Sequence, residues 1–179
     1  MKRVSNLMLT AAVMMVLGLS LSGCGESEAV ATSVSANEPI VGLWQVTWTD
    51  TATQQVILKL WDVWHADQTE TQDDTTPVLI GNVCQGAWIP LGNRTYGLTH
   101  PAFNFLSEPE DQEGQPDPNS SALILERLTV SKDGNSFQGP GIYKTIAGMD
   151  PLDPHAAVLS SENITITGKR VQVDKSQLP

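Results

Sequence analysis

The stretch Val83-Cys84-Gln85-Gly86-Ala87-Trp88-Ile89-Pro90-Leu91-Gly92-Asn93-Arg94-Thr95-Tyr96-Gly97-Leu98-Thr99-His100 decides how the chain is read. It holds the only thiol beyond the N-terminal segment together with a Trp, a Tyr and a His, residue types that build sites. It also has the pattern of a hairpin. Val83 to Ile89 alternates as a strand, Pro90 to Arg94 contains a Gly-Asn turn, and Thr95 to His100 returns. Cys84, Gly86 and Trp88 then share one face. A buried thiol with no base or helix N-terminus beside it behaves as a small hydrophobe rather than a nucleophile. The stretch therefore reads as two strands.

The same period of two runs through the chain on either side. Trp44, Val46 and Trp48 alternate with Gln45, Thr47 and Thr49, as in a half-buried strand. Val56 to Trp64 follows, with Leu58 and Leu60 on one face and Ile57, Trp61 and Val63 on the other. A short strand is expected near Glu70 after the polar turn Ala66-Asp67-Gln68-Thr69. Pro101 is expected to end the return strand of the central hairpin. Ser107 to Ser121 holds five acids, three prolines and no base, which reads as a long solvated loop. Ala122 to Ser131 is a strand, Lys132-Asp133-Gly134-Asn135 a hairpin turn, Phe137 to Ile146 its partner, and Ile164 to Val173 the last strand. No segment keeps helical spacing over three turns. Eight or nine short strands predict an all-β, antiparallel up-and-down barrel or a sandwich.

The first 23 residues have a different character. Lys2 and Arg3 precede an apolar run from Leu7 to Leu21. That run is shorter than the roughly 20 residues a spanning helix needs, so it reads as the core of a signal peptide. Leu21-Ser22-Gly23-Cys24 resembles the lipobox of bacterial lipoproteins. The resemblance implies cleavage before Cys24 and acylation of its thiol, with palmitate among the chains. Each buried methylene of such a chain contributes roughly 0.8 kcal/mol, and anchoring becomes stable once two chains combine. Residues 24–38 are rich in Ser, Ala, Glu and Thr and read as a flexible tether, leaving residues 39–179 as the folded domain. The implied location is the bacterial cell envelope. Gly25 after the Cys points to the outer membrane, facing the periplasm, in a Gram-negative host.

Charge and cysteine usage narrow the function. Removing residues 1–23 takes the balance from 10 Lys+Arg and 20 Asp+Glu to 8 and 20, a net charge of −12. Such a surface repels nucleic acid, and no segment joins basic residues to aromatics. With Cys24 acylated, Cys84 has no intramolecular partner for a disulfide. One Cys and three scattered His make no metal-ligand spacing, so no metal and no cofactor are expected. The acids at 108–117 do not follow a calcium-loop pattern.

Gly42-Leu43-Trp44 at the start of the first strand resembles the lipocalin and calycin group. The resemblance implies that Trp44 plugs one end of a barrel and that Arg170, in the last strand, packs over its indole. Cation–π packing of that kind contributes roughly 0.5–2 kcal/mol. The Trp64 to Thr69 run, the Gly86-Ala87-Trp88 strand, the Thr95 to Phe105 return and the Asp133-Gly134-Asn135 turn are similar to small bacterial secreted proteins with a lipocalin-like barrel, a family with no established activity.

Candidate sites follow from the residues that remain. His100 is expected to be a strand-end residue bonded to backbone, with a haem ligand or a general base as the other readings, and His65 and His155 are expected to be exposed. Serine-nucleophile motifs, phosphate-cradling glycine loops and paired carboxylates fixed on strands are not visible, so no catalytic residue is assigned and the chain is not read as an enzyme. The aromatics are numerous for a small barrel. Trp61, Trp88, Tyr96, Phe103 and Phe105 are the expected lining of a site for a small apolar or amphipathic ligand, with Trp88 and Phe103 toward the open interior. Two other readings stay open. One is a structural or interaction module of the envelope with a filled barrel. The other is a barrel-type cyclase or isomerase, which a cavity bringing Glu126 and His100 together would favour.

Overall fold

The computed structural model describes residues 37–109 and 113–178. Lipidation of Cys24, the signal peptide and all but the last two residues of the tether lie outside the described residues. Eight strands form a closed antiparallel barrel in sequence order. They are β1 (Gly42–Asp50), β2 (Val56–Trp64), β3 (Thr69–Asp74), β4 (Val83–Gly92), β5 (Thr95–Phe105), β6 (Pro116–Val130), β7 (Ser136–Ala147) and β8 (Val158–Arg170). Each pairs with its neighbours in sequence, and β8 returns to β1 with Trp44 opposite Arg170 and Trp48 opposite Ile166. The expected up-and-down barrel is present, with eight strands and no α-helix among the described residues.

Strand ends differ from the sequence reading where a neighbour prolongs the ladder. β5 runs past Pro101 to Phe105 because β6 pairs with it from Pro101 opposite Leu123 to Phe105 opposite Pro116. The β4–β5 ladder has already ended at Ala87 opposite Thr99, so Pro101 needs to satisfy only one neighbour. The expected loop over 107–121 thus gives up its last residues to β6, and β8 begins at Val158 instead of Ile164, paired with Ile146. It stops at Arg170, three residues short of the expected end.

One end of the barrel is closed by aromatic packing. Trp44 is fully buried, its Nε1 donates to Ile40 O at 2.7 Å, and the Arg170 guanidinium lies 4.1 Å from its ring centre. Arg170 is itself held by three carbonyls: Gly134 at 2.7 Å, Val41 at 2.9 Å, and Pro39. Behind Trp44 the rings continue as Phe137 at 4.8 Å, Trp64 at 6.5 Å from Phe137, Trp88 at 5.8 Å from Trp64, and Tyr96 at 5.6 Å from Trp88. Gly168 has no side chain because a Cβ there would enter the ring of Phe137. Glu38 seals the edge by accepting from the Tyr96 hydroxyl at 2.7 Å.

Replacing Trp44 with Ala removes the centre of this stack and should cost about 3–5 kcal/mol, the range for a large aromatic taken from a core. Urea unfolding followed by far-UV circular dichroism measures the loss. A variant as stable as wild type would show that the stack does not carry the closure.

Candidate functional site

The sequence-expected lining separates into three groups. Trp88 and Tyr96 are buried in the closed end, where the indole N–H of Trp88 lies 3.1 Å from both His65 O and Thr69 O. Trp88 was expected toward the open interior; it is instead 1% exposed, with its ring packed on Trp64. Trp61 stands on the outer face and is 47% exposed, because its neighbours Leu60 and Asp62 take the inward positions of β2. Phe103 and Phe105 are at the rim of a cavity in the other end of the barrel.

That cavity has a volume of about 380 Å³. Its walls include Trp48, Leu58, Ile124 and Tyr143, and Gln72, Asp74, Cys84 and His100 bring polar groups into it. Cys84 is free and half-buried there. His100 is 1% exposed, and its Nδ1 lies 3.1 Å from Glu70 Oε2. The approach is close, yet its angles fall outside those of a well-formed hydrogen bond, so it is an electrostatic contact. His100 is thus not bonded to backbone as the sequence suggested; it is a buried group beside a carboxyl. His65 and His155 are exposed.

Between the aromatic end and His100 the barrel carries a belt of acids. Asp62, Glu70 and Glu126 are all buried and all point inward. The register explains the belt. Glu126 lies opposite Leu98 and Asp62 opposite Trp44, and both fall in phase with apolar inward neighbours. Gly86 lies opposite Glu70, and a Cβ at position 86 would come within 2.7 Å of Glu70 Oε2 and 2.8 Å of Leu98. Gly86 therefore makes the space that Glu70 occupies. The expectation that no paired carboxylates are fixed on strands is overturned. The signal was present at Asp62 and Glu126, which keep the inward parity of Leu60 and Trp64, and of Ile124 and Leu128. Glu70 gave none, since β3 has no apolar residue to set its phase.

Burial is the main cause of the charge state of this belt. It drives Asp62 well above the usual carboxyl range, and the charge of Glu70 adds to the rise. Glu126 is pushed up by burial first and then by the charges of Asp62 and Glu70. Glu70 rises by burial to about 7, against a lowering contribution from the neighbouring Asp62 carboxyl. Burial and mutual repulsion thus act together to favour the neutral form of all three acids, as like charges crowded in a low dielectric require. Even so, both oxygens of Glu70, one oxygen each of Asp62 and Glu126, and both ring nitrogens of His100 lack a well-formed hydrogen bond. Of these groups His100 lines the cavity, so its ring nitrogens are the ones open to a partner there. Among the described residues no three His, Cys, Asp or Glu side chains converge with the geometry of a metal site.

The acids make stability depend on pH. Glu70 has a folded pKa of about 7 against an ordinary value of 4.5, so between those values the folded state holds a proton that the unfolded state has lost. That stabilisation is full below pH 4.5 and is lost as pH rises through 7, at a limiting slope of about 1.4 kcal/mol per pH unit for one group. Asp62 and Glu126 act in the same direction. Thermal melts should therefore fall from pH 5 to pH 8, and Glu70→Gln should flatten that fall. An unchanged pH profile in the variant would remove Glu70 from the titration.

No family model, no curated protein and no solved structure matches this chain, so its functional reading rests on the geometry of the barrel itself.

Proposed function

We propose that the protein is a lipid-anchored lipoprotein of the bacterial cell envelope whose lipocalin-like barrel binds a small amphipathic molecule in its open end. The observation that carries the binding reading is the cavity of about 380 Å³ with apolar walls and a polar floor. Its size falls in the range of small-molecule sites, roughly 300–1,000 Å³, and an eight-stranded barrel is wide enough to hold one small ligand. The closed end supports the lipocalin-like reading, because Trp44 and Arg170 stack where the resemblance places them. The aromatic stack occupies one end and a cavity the other, which favours a binder over a structural module with a solid core. The anchor rests on the apolar run, the small residues and Cys24 standing in processing order, and it implies membrane lipid as a partner, with the outer membrane and its periplasmic face as the location.

The cyclase or isomerase reading draws on one specific observation. His100 reaches the cavity with a carboxyl partner behind it, as a general base would. The binding reading is preferred because it needs only the cavity, whereas a reaction needs a substrate group that no side chain here singles out.

Cys84 reports on occupancy because it lines the cavity. A saturating concentration of the uncharged probe N-phenyl-1-naphthylamine should slow alkylation of Cys84 by iodoacetamide at least fivefold. Ala102→Trp, which fills the cavity from β5, should weaken that protection at least tenfold with little change in melting temperature. Alkylation at the same rate with and without probe would end the binding proposal. Separately, Cys24→Ser should abolish incorporation of labelled palmitate and shift the protein out of the detergent phase; unchanged partitioning would end the anchor proposal.

A further inference from the structure

We propose that the occupant of the cavity is a cationic amine, an apolar body carrying a protonated nitrogen that is held at the floor by His100 and the acids around it. This rests on the binding reading above and names the chemistry of its ligand. The charged side chains that line the cavity are Asp74, Asp117 and His100, with no Lys or Arg among them. Behind the floor stand Glu70, Asp62 and Glu126, which are neutral or negative and add no positive charge to it. An anionic head group, such as a fatty-acid carboxylate, would meet this field at close range in a medium of low dielectric, where repulsion is several-fold stronger than in water.

His100 is the group that makes the floor specific. It is 1% exposed, it lines the cavity, and neither of its ring nitrogens has a well-formed hydrogen bond. Its Nδ1 faces Glu70 Oε2 at 3.1 Å, so that with Glu70 ionised the imidazole proton is held on that nitrogen. Nε2 then offers a lone pair and no hydrogen, so it accepts from an ammonium N–H and has nothing to donate to a carboxylate. Through this contact an ionised Glu70, the form that a bound cation favours, is presented at the cavity floor as a hydrogen-bond acceptor. Gln72 and Asp74 add to it: Gln72 Nε2 donates to Asp74 Oδ2 at 2.8 Å, which leaves the amide oxygen of Gln72 as a further acceptor. The faces of Trp48 and Tyr143 in the wall are surfaces on which a cation is attracted rather than repelled.

The test uses three probes of one shape and different charge: 4-phenylbutylamine, 4-phenylbutanol and 4-phenylbutyrate. Each is titrated into the full-length protein at pH 7 while the rate of Cys84 alkylation is followed. The amine should reach half-protection at a concentration at least tenfold below that of the alcohol, with the carboxylate weaker still. Asp74→Asn should reduce the preference for amine over alcohol at least threefold, and His100→Leu should abolish it. Asp74 lies nearer the rim, so its variant keeps the test valid if the His100 variant does not fold. Equal protection by alcohol or carboxylate overturns the amine proposal and leaves a binding site for apolar molecules. Failure of all three while N-phenyl-1-naphthylamine still protects does the same. Failure of all four overturns both proposals.

Discussion

The pairing of β8 with β1 is the constraint from which the rest of the interior follows. Once Trp44 stands opposite Arg170, the sheet has no free edge and the inward positions of every strand are fixed. Arg170 then does two things at once. Its plane covers the Trp44 indole, and its N–H groups take up carbonyls from Pro39, Val41 and Gly134, which belong to the entry of β1 and to the β6–β7 turn. A single side chain thereby joins the segment before the first strand, a distant turn and the last strand. A lysine could supply the charge but not the planar fork that reaches three acceptors.

Closure also forces what the barrel must enclose. The alternation that points Trp44, Val46 and Trp48 inward points Asp62, Glu70 and Glu126 inward as well. The interior is consequently layered: rings at one end, acids in the middle, and a mixed cavity at the other end. Burying three carboxyls together favours their neutral forms, which is why burial raises all three and why taking up protons eases the cost of enclosing them. Gly86 and Gly168 show the same economy of space. Each omits a side chain where a neighbour, Glu70 or Phe137, crosses the barrel.

The fold was legible because strand period and turn residues agree along the chain. Gly92-Asn93-Arg94 adopts positive φ at all three residues, and Gly134 does so in the next hairpin, as the tight turns require. The Gly-x-Trp start and Arg170 located the closed end. The cavity was less legible for two reasons. Aromatic residues were taken as lining by type, whereas parity sends Trp61 outward and ring packing draws Trp88 and Tyr96 into the closed end. Polar residues were not placed by parity: Asp62 was passed over, and His100 and Glu126 were weighed only by type, although all three occupy the same parity as the core residues beside them. Reading parity ahead of residue class would have placed those three inside. It would not have found Glu70, whose strand has no apolar residue to set its phase; that position becomes visible only when Gly86 is set opposite it.

The return of β8 to β1 has a kinetic side. Seven of the eight ladders join strands that follow one another, so they can form as hairpins while the chain is still emerging. The eighth must wait: the bond from Arg170 to Val41 links residues 129 positions apart. Until it forms, β1 has one unsatisfied edge and Trp44 has no cover, and closing so long a loop is slow relative to local pairing. With β8 undocked the other strands would form an open sheet with free edges, and free edges are what lets one chain pair with another. The last strand therefore works as a latch, and its arrival sets the moment at which the molecule stops being sticky.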